Sequence, residues 1–433
     1  MMPNLEVLHV NSADTGGGAA RAAQRLHLAL RAAGVDSMML VRHAGSGAPG
    51  VFGPRSRIEA TLNPLRCYAG RALMRLQSSG FRTPRSGNFL PSRWSRRIDL
   101  VGPDVVNLHW LGAETMSIED IGRIRRPIVW TFHDMWAFCG AEHVEPDASR
   151  WAPGYLRENR SIGDTGLDID RWVWTRKKNA WQQPMRIIVP SRWMADCVGR
   201  SALMAGKPVA IIPNVLDTEC FRPHDRAECR RILGLPQDRK LVLFGAIQSA
   251  TDVNKGYDLL SAALGKLAVQ AQAGKFECVV FGQTAPASGP IPAIKTHWLG
   301  HIDCETTLAQ IYSAADVMVV PSRVENLPQT ATEAQSCACP VVAFRTCGLP
   351  DAVDDRITGY LAEPYDPEDL ARGISWVTAD RVRHQSLGIA ARSRAERLWS
   401  AYIVLPKYQA EYRLAIEAGL QHSAIHTSAN DGQ

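Results

Sequence analysis

Glu325 and Glu333 stand with seven residues between them in the stretch Arg-Val-Glu-Asn-Leu-Pro-Gln-Thr-Ala-Thr-Glu-Ala at 323–334. Just before it, Val317 to Val320 is a short apolar run suited to a strand buried on both faces, Pro321 ends the run, and helical composition begins at Gln329. One carboxylate therefore falls in a turn and the other inside a helix. Between them the helix start offers backbone N–H groups, at about Asn326 and Leu327 and on to Thr330, that attract an anion such as a diphosphate. A nucleotide-sugar fits this pattern: Glu333, roughly a turn into the helix, accepts hydroxyls of a ribose, and Glu325, in the loop, accepts hydroxyls of a sugar. Each such charge-assisted bond contributes about 1.5–3 kcal/mol when water is excluded. Without context, the same two residues also suit a solvated loop and a helix surface.

Other polar residues fall at strand ends. Asn-Ser-Ala-Asp-Thr-Gly-Gly-Gly at 11–18 follows a first strand, Leu5 to Val10, and Gly16, Gly17 and Gly18 let backbone approach a ligand closely at the start of the next helix. The loop is not G-x-G-x-x-G and lacks the acidic partner of a dinucleotide site, and a tight turn explains it as well. His133 and Asp134 end the strand that begins at Ile128, where ligands gather in open α/β sheets, and His109 closes Val105 to Leu108 in the same way. Both histidines also suit packed structural positions. Lys255, before Gly256 and a helix, sits where the helix dipole disfavours a cation unless it serves an anion. Asp168-Ile169-Asp170 is the only D-x-D and precedes Arg171-Trp172 rather than ending an apolar strand, so it reads as a surface feature. The chain contains no HExxH, no P-loop and no G-x-S-x-G.

The elements that must carry these residues alternate. After Leu5 to Val10 comes a helix in which Ala19, Ala22, Ala23, Leu26, Ala29, Leu30 and Ala33 recur at helical steps until Gly34 stops it. Ser37 to Val41, Val105 to Leu108, Ile128 to Phe132 and Ile187 to Pro190 predict further strands of a parallel sheet. Ile211-Ile212-Pro213-Asn214 marks a hinge. A second series follows: Leu241 to Phe244, Glu277 to Phe281, Thr296 to Leu299, Val317 to Val320 and Pro340 to Phe344, interleaved with helical stretches at 256–273, 305–314 and 328–338. The expectation is an α/β protein of two Rossmann-like, doubly wound domains, 1–212 and 213–390, whose glycine and glutamate loops face a shared central cleft. Residues 391–420 are expected to form C-terminal helices packing back on the first domain, and 421–433, rich in Ser, Ala, His, Asn and Asp, a disordered tail.

At 433 residues and 45% hydrophobic composition the chain can bury two cores. Its longest apolar runs are far short of a membrane span, and the start carries Glu6 inside a short apolar stretch, which predicts a cytoplasmic location. Ten scattered cysteines with no C-x-x-C pair read as reduced thiols, and Cys337 and Cys339, two apart on a predicted helix, point to divergent faces. Net charge is +6, yet residues 55–97 hold ten arginines against the single acid Glu59, an excess of nine that leaves about −3 for the remainder. Leu65, Ala69, Ala72, Leu73 and Leu76 give that segment a partly apolar face, as on a helix lying peripherally on an anionic inner membrane leaflet. A plain solvated loop fits it equally, and nucleic acid is not an expected partner.

The segment from Pro321-Ser322 to Glu333-Ala334 resembles the E-x7-E signature of the retaining glycosyltransferases of family 4, which have the GT-B fold. The resemblance runs from about residue 5 to 412 and is strongest from 240 to 362; Thr131 to Gly140, Pro190-Ser191-Arg192-Trp193 and Glu325-Asn326-Leu327-Pro328 look most like exopolysaccharide glycosyltransferases. It implies that Glu325 holds the donor sugar, Glu333 the ribose, and His133 a place beside the sugar. Leu243 to Ala246 with Lys255-Gly256 resembles the family's diphosphate clamp, in which Ala246 stands where an arginine is common and Arg323 is a candidate substitute. His297-Trp298-Leu299-Gly300-His301-Ile302 is similar to the segment lining the base pocket, with His301 and Ile302 contributing mostly backbone atoms. The implied reaction moves a hexose from a UDP- or GDP-sugar to a saccharide acceptor, lipid-linked in the reading favoured here, with retained configuration and no metal or other cofactor. A nucleotide-sugar epimerase of the same fold and a degenerate carbohydrate-binding copy are the alternatives; a nicotinamide dehydrogenase lacks the right glycine pattern.

Overall fold

A computed structural model describes residues 5–78, 84–245, 252–269, 275–285 and 294–430, with 422–430 as backbone. Ala246 and Arg82 lie outside the described residues. The chain divides into two compact units, Met1–Ile212 with Leu405–Gln433, and Pro213–Val404.

In the first unit β1 (Glu6–Ala13), β2 (Asp36–His43) and β3 (Val51–Phe52) are followed by β4 (Gln77–Ser78), β5 (Val105–Leu108), β6 (Ile128–Thr131), β7 (Thr165–Gly166), β8 (Met185–Val189) and β9 (Val209–Ile211). Seven of these make a sheet of order β3-β2-β1-β5-β6-β8-β9, parallel at every pairing, while β4 and β7 form a separate antiparallel pair. Alanines and leucines at helical steps along Gly18–Ala32 bury Ala22, Ala23, Leu26 and Leu30, and Gly34, at φ +82°, ends that helix in a conformation other residues resist. Trp130, Phe132, Trp136, Phe138 and Trp151 fill the core around β6. From Leu405 the last helix, Ala401–Asn430, belongs to this unit: Tyr412 Oη donates to Asn107 Oδ1 of β5 at 2.7 Å and Glu411 pairs with Arg186 of β8 at 2.6 Å.

The second unit holds β10 (Lys240–Gly245), β11 (Phe276–Phe281), β12 (Thr296–Trp298), β13 (Val317–Val320), β14 (Val341–Phe344) and β15 (Gly359–Ala362) in one parallel sheet of order β12-β11-β10-β13-β14-β15. In both sheets strand order reverses once, between β1 and β5 in the first and between β10 and β13 in the second. Ligands of doubly wound sheets bind at the carboxyl ends of strands at such a reversal.

Two placements depart from the sequence reading. Residues 391–404 stay with the second unit, because Ala395 and Trp399 of the helix Arg381–Trp399 are buried in its core and Trp399 O accepts from Leu216 N at 2.8 Å. The last helix carries helical backbone on to Asn430, through the stretch read as a tail, since Leu420 to Ile425 continues without a breaker.

Candidate active site

In the second unit the two loops beside the strand reversal are stitched together. Gly256 adopts φ +68°, and a Cβ there would lie 1.9 Å from Pro321 O, so only glycine lets the turn after Lys255 close against the end of β13. Arg323 N donates to Asn254 O at 2.8 Å across the same seam. Lys255 Nζ consequently meets Glu325 Oε2 at 2.7 Å, and the carboxylate holds the lysine pKa above its ordinary value. Ser322 Oγ approaches the same oxygen at 3.5 Å, and Gly348 N donates to Glu325 O at 2.9 Å.

Glu333 lies on the helix Gln329–Ser336 and is 1% exposed, with Tyr312 Oη donating to its Oε2 at 2.7 Å. That helix starts from Pro328 with no side-chain cap and no acid in its first turn, so the positive end of its dipole is not offset locally. Asn326 and Leu327 are buried between the two glutamates. Arg323 is committed elsewhere: both terminal nitrogens bond Asp258, at 2.9 and 2.6 Å, which removes it as the substitute clamp cation. His301 and Ile302 follow β12, an edge strand two places from β10, or roughly 10 Å at ordinary strand spacing. His301 pairs with Asp303 at 2.9 Å and Ile302 packs on the core. Cys337 and Cys339 do not share a helix, because Ala338 takes φ +56° just beyond its end.

In the first unit Gly17 caps the helix Gly18–Ala32 at φ +69°, and among the described residues nothing lies within 4 Å of a Cβ built on it. β1, β5 and β6, neighbours in the sheet, bring three histidines together. His9 Nδ1 lies 3.0 Å from His109 Nε2, and His109 Nδ1 lies 3.0 Å from His133 Nε2. Burial pushes the His9 and His109 rings well below the usual histidine range, and pushes His133 down to about 4 against the pull of Asp134. These rings are neutral when folded, whereas in the unfolded chain they take a proton near pH 6.5. Stability is therefore expected to fall as pH drops through 6.5, by about 1.4 kcal/mol per pH unit for each ring. Urea unfolding midpoints between about pH 8 and 5 check this, and a flat profile contradicts it.

Asp134, beside His133 at the strand end, is engaged by three donors. Burial alone would raise its carboxyl, but His143 Nδ1 at 2.6 Å, Trp136 N at 3.0 Å and Trp110 Nε1 at 2.6 Å more than offset that and hold it below its ordinary value. Ser86 Oγ meets His143 Nε2 at 2.7 Å, completing a Ser-His-Asp series. It is no nucleophile site: Ser86 and His143 are both buried, Trp110 and Trp136 stack on the histidine, and a Cβ on Gly112 would already lie 2.6 Å from its ring. The following loop is pinned by Lys177, whose Nζ donates to the carbonyls of Trp136, Cys139 and Gly140 and sits 3.9 Å from the Trp136 ring centre. Burial pulls this lysine down to about 7, while three carbonyls and an aromatic face match the three N–H groups of the cation.

The D-x-D is not a surface feature. Asp168 caps the helix Ile169–Ala180 and pairs with Arg150 at 2.8 Å, and Asp170, 2% exposed, accepts from Gln77 Nε2 at 2.7 Å and pairs with Arg85. Among the described residues no group of three histidine, cysteine, aspartate or glutamate side chains is arranged to hold a metal, and no helix is long and apolar enough to cross a membrane. Sequence reasoning missed His9, His143, Lys177 and the Tyr312 bond to Glu333; a histidine inside the apolar run of β1 was the one signal on offer.

Two parallel-sheet, Rossmann-like units define the GT-B architecture. A glycosyltransferase from Rickettsia africae shares the fold at a TM-score of 0.64, with 14% identity over 96% of this chain and 99% of that one. Anabaena HepE, solved in complex with UDP-glucose, matches at 0.61, with 16% identity over 93% and 98%. The family model for group 1 glycosyl transferases matches residues 225–394 and that for glycosyltransferase family 4 matches residues 16–220. The D-inositol 3-phosphate glycosyltransferase of Segniliparus rotundus is 34% identical over 323 residues, 72% of this chain, and the chain spans 66% of that relative's own length. The protein belongs to the family 4 glycosyltransferases.

Proposed function

We propose that the protein is a retaining hexosyltransferase that moves a sugar from a UDP- or GDP-sugar to a hydroxyl of a saccharide acceptor, lipid-linked, in polysaccharide synthesis. The observation that carries the reading is the Lys255–Glu325 pair at 2.7 Å beside the strand reversal, with Glu333 buried in the helix that follows. Lys255, the loop residues Asn326 and Leu327 and the start of the helix Gln329–Ser336 take the diphosphate; Glu325 accepts sugar hydroxyls and Glu333 those of the ribose. His301 and Ile302 line the base through backbone atoms, His133 hydrogen-bonds the sugar, and Gly17 and Gly18 let backbone approach the substrate. As the bond from the anomeric carbon to the diphosphate breaks, its electron pair goes to phosphate oxygen, where Lys255 stabilises the growing charge. The acceptor oxygen bonds the same face of that carbon and its proton passes to the departing phosphate, so no resident cofactor takes part.

Incubation with common sugar nucleotides and an acceptor panel tests this through release of UDP or GDP. Release that depends on acceptor, with retained configuration in the product, supports it; interconversion of sugar nucleotides without release indicates the epimerase. The S. rotundus relative is named for an inositol phosphate acceptor, which places a phosphorylated polyol in the panel beside the saccharides.

The arginine-rich segment suits a lipid-linked acceptor. Its helix Arg57–Met74 leaves Ile58, Leu62, Leu65 and Tyr68 exposed, the first at 73% and the last at 66%, among the exposed Arg57, Arg71 and Arg75. Each basic residue near an anionic surface contributes about 1 kcal/mol. Vesicles containing anionic lipid are expected to pellet the protein at low salt and release it at high salt, whereas no pelleting at low salt contradicts the membrane reading.

A further inference from the structure

We infer that His9 and His109 are positioning residues that lock His133 in the tautomer carrying its proton on Nδ1. His9 of β1 is in register with Asn107 of β5, and Leu108 with Trp130 of β6, so His109 lies two residues beyond the partner of His9 and His133 two beyond the position opposite His109, each a diagonal neighbour on the same face. The rings lean together along that diagonal and stack, with centroids 5.2 Å apart for His9 and His109 and 5.3 Å for His109 and His133. Both His109 nitrogens face a neighbouring histidine nitrogen at 3.0 Å. His9 is 0% and His109 3% exposed, which keeps each ring neutral, with one donor and one acceptor. A neutral His109 must accept on one side and donate on the other, so the two bonds run in a single sense along the series.

The far end selects the sense. Among the described residues His9 Nε2 is buried with no hydrogen-bond partner. Were His133 to donate from Nε2, the series would end by placing the His9 proton on that nitrogen, a buried N–H without an acceptor, the costlier kind of orphan. His27 offers no acceptor: its Nε2 faces Pro49 O at 3.0 Å and so holds its proton, its Nδ1 is taken by Ser37 Oγ at 2.8 Å, and its ring meets His9 edge-on. The series therefore runs from His9 through His109 to His133, whose Nε2 accepts and whose Nδ1 carries the hydrogen. His133 is then a fixed hydrogen-bond donor to substrate oxygen and not a general base.

The consequence for turnover rests on the glycosyl-transfer reading, but the tautomer does not. Long-range proton–nitrogen NMR of the full chain, with histidine labelled with nitrogen-15 and His133→Phe supplying the assignment, is expected to show a protonated Nδ1 and a bare Nε2 on His133 at neutral pH. His109→Phe is expected to invert that pattern, because an unconstrained imidazole prefers its proton on Nε2, and to lower kcat about tenfold, the worth of one hydrogen bond. His109→Gln, whose amide can still donate to His133 Nε2, is expected to restore the Nδ1 proton and most of kcat, which separates positioning from loss of fold. A wild-type His133 protonated on Nε2, or a pattern that His109→Phe leaves unchanged, overturns the inference. If no sugar nucleotide supports transfer, the proposed function fails while the NMR result stands by itself.

Discussion

Glu325→Gln is expected to lower kcat/KM for sugar transfer by about 10²-fold, the rate equivalent of one charge-assisted hydrogen bond to the sugar. The fold is expected to hold. Glutamine keeps an acceptor for Lys255 Nζ at the 2.7 Å position, and the loop remains pinned through its backbone by the bonds from Gly348 N and Arg323 N. Steady-state kinetics beside a thermal unfolding scan separate the two effects. Turnover within about twofold of wild type removes Glu325 from the reacting end.

Lys255→Met is the second large effect. Methionine preserves most of the side chain's length and apolar stem, so the stitched turn at Gly256 stays closed while the cation is gone. Arg323 is held by Asp258, and among the described residues Lys255 is the cation paired with Glu325, so the variant leaves that carboxylate without its ion pair. Nucleoside diphosphate affinity is expected to fall about 10- to 100-fold and kcat to fall with it, because the charge on the leaving phosphate grows as the bond breaks. Calorimetric titration measures the first and nucleotide release the second. Unchanged affinity for the diphosphate removes Lys255 from the clamp.

Much of the architecture was legible because buried parallel strands read as short apolar runs. β10, β11, β13 and β14 each match a predicted run to within about a residue, and β5 matches at both ends. Five strands were missed: β3, β4 and β7 are two residues each, too short to show a run. β9 is three residues, Val209–Ile211, next to Pro208 and a stretch read as a hinge, and β15 opens on a glycine and lacks any β-branched residue, although it is fully buried.

At the site, local facts were readable and long-range ones were not. The spacing of Glu325 and Glu333 and the glycine after Lys255 are properties of single segments. The His9 bond to His109 joins residues 100 apart, and the burial of Asp170 depends on Gln77, 93 residues away. Arg323 is tied to Asp258, 65 residues away. No local pattern specifies such contacts; strand order does.

In the proposed function one glutamate, Glu325, grips the sugar and the other, Glu333, the nucleotide. The direct measurement is binding of a nucleoside diphosphate and of the corresponding nucleotide-sugar to wild type, Glu325→Gln and Glu333→Gln. Glu333→Gln is expected to weaken both ligands about tenfold, and Glu325→Gln to weaken the nucleotide-sugar while leaving the diphosphate within about twofold. Equal losses for both ligands in Glu325→Gln, or none for either in Glu333→Gln, would contradict it.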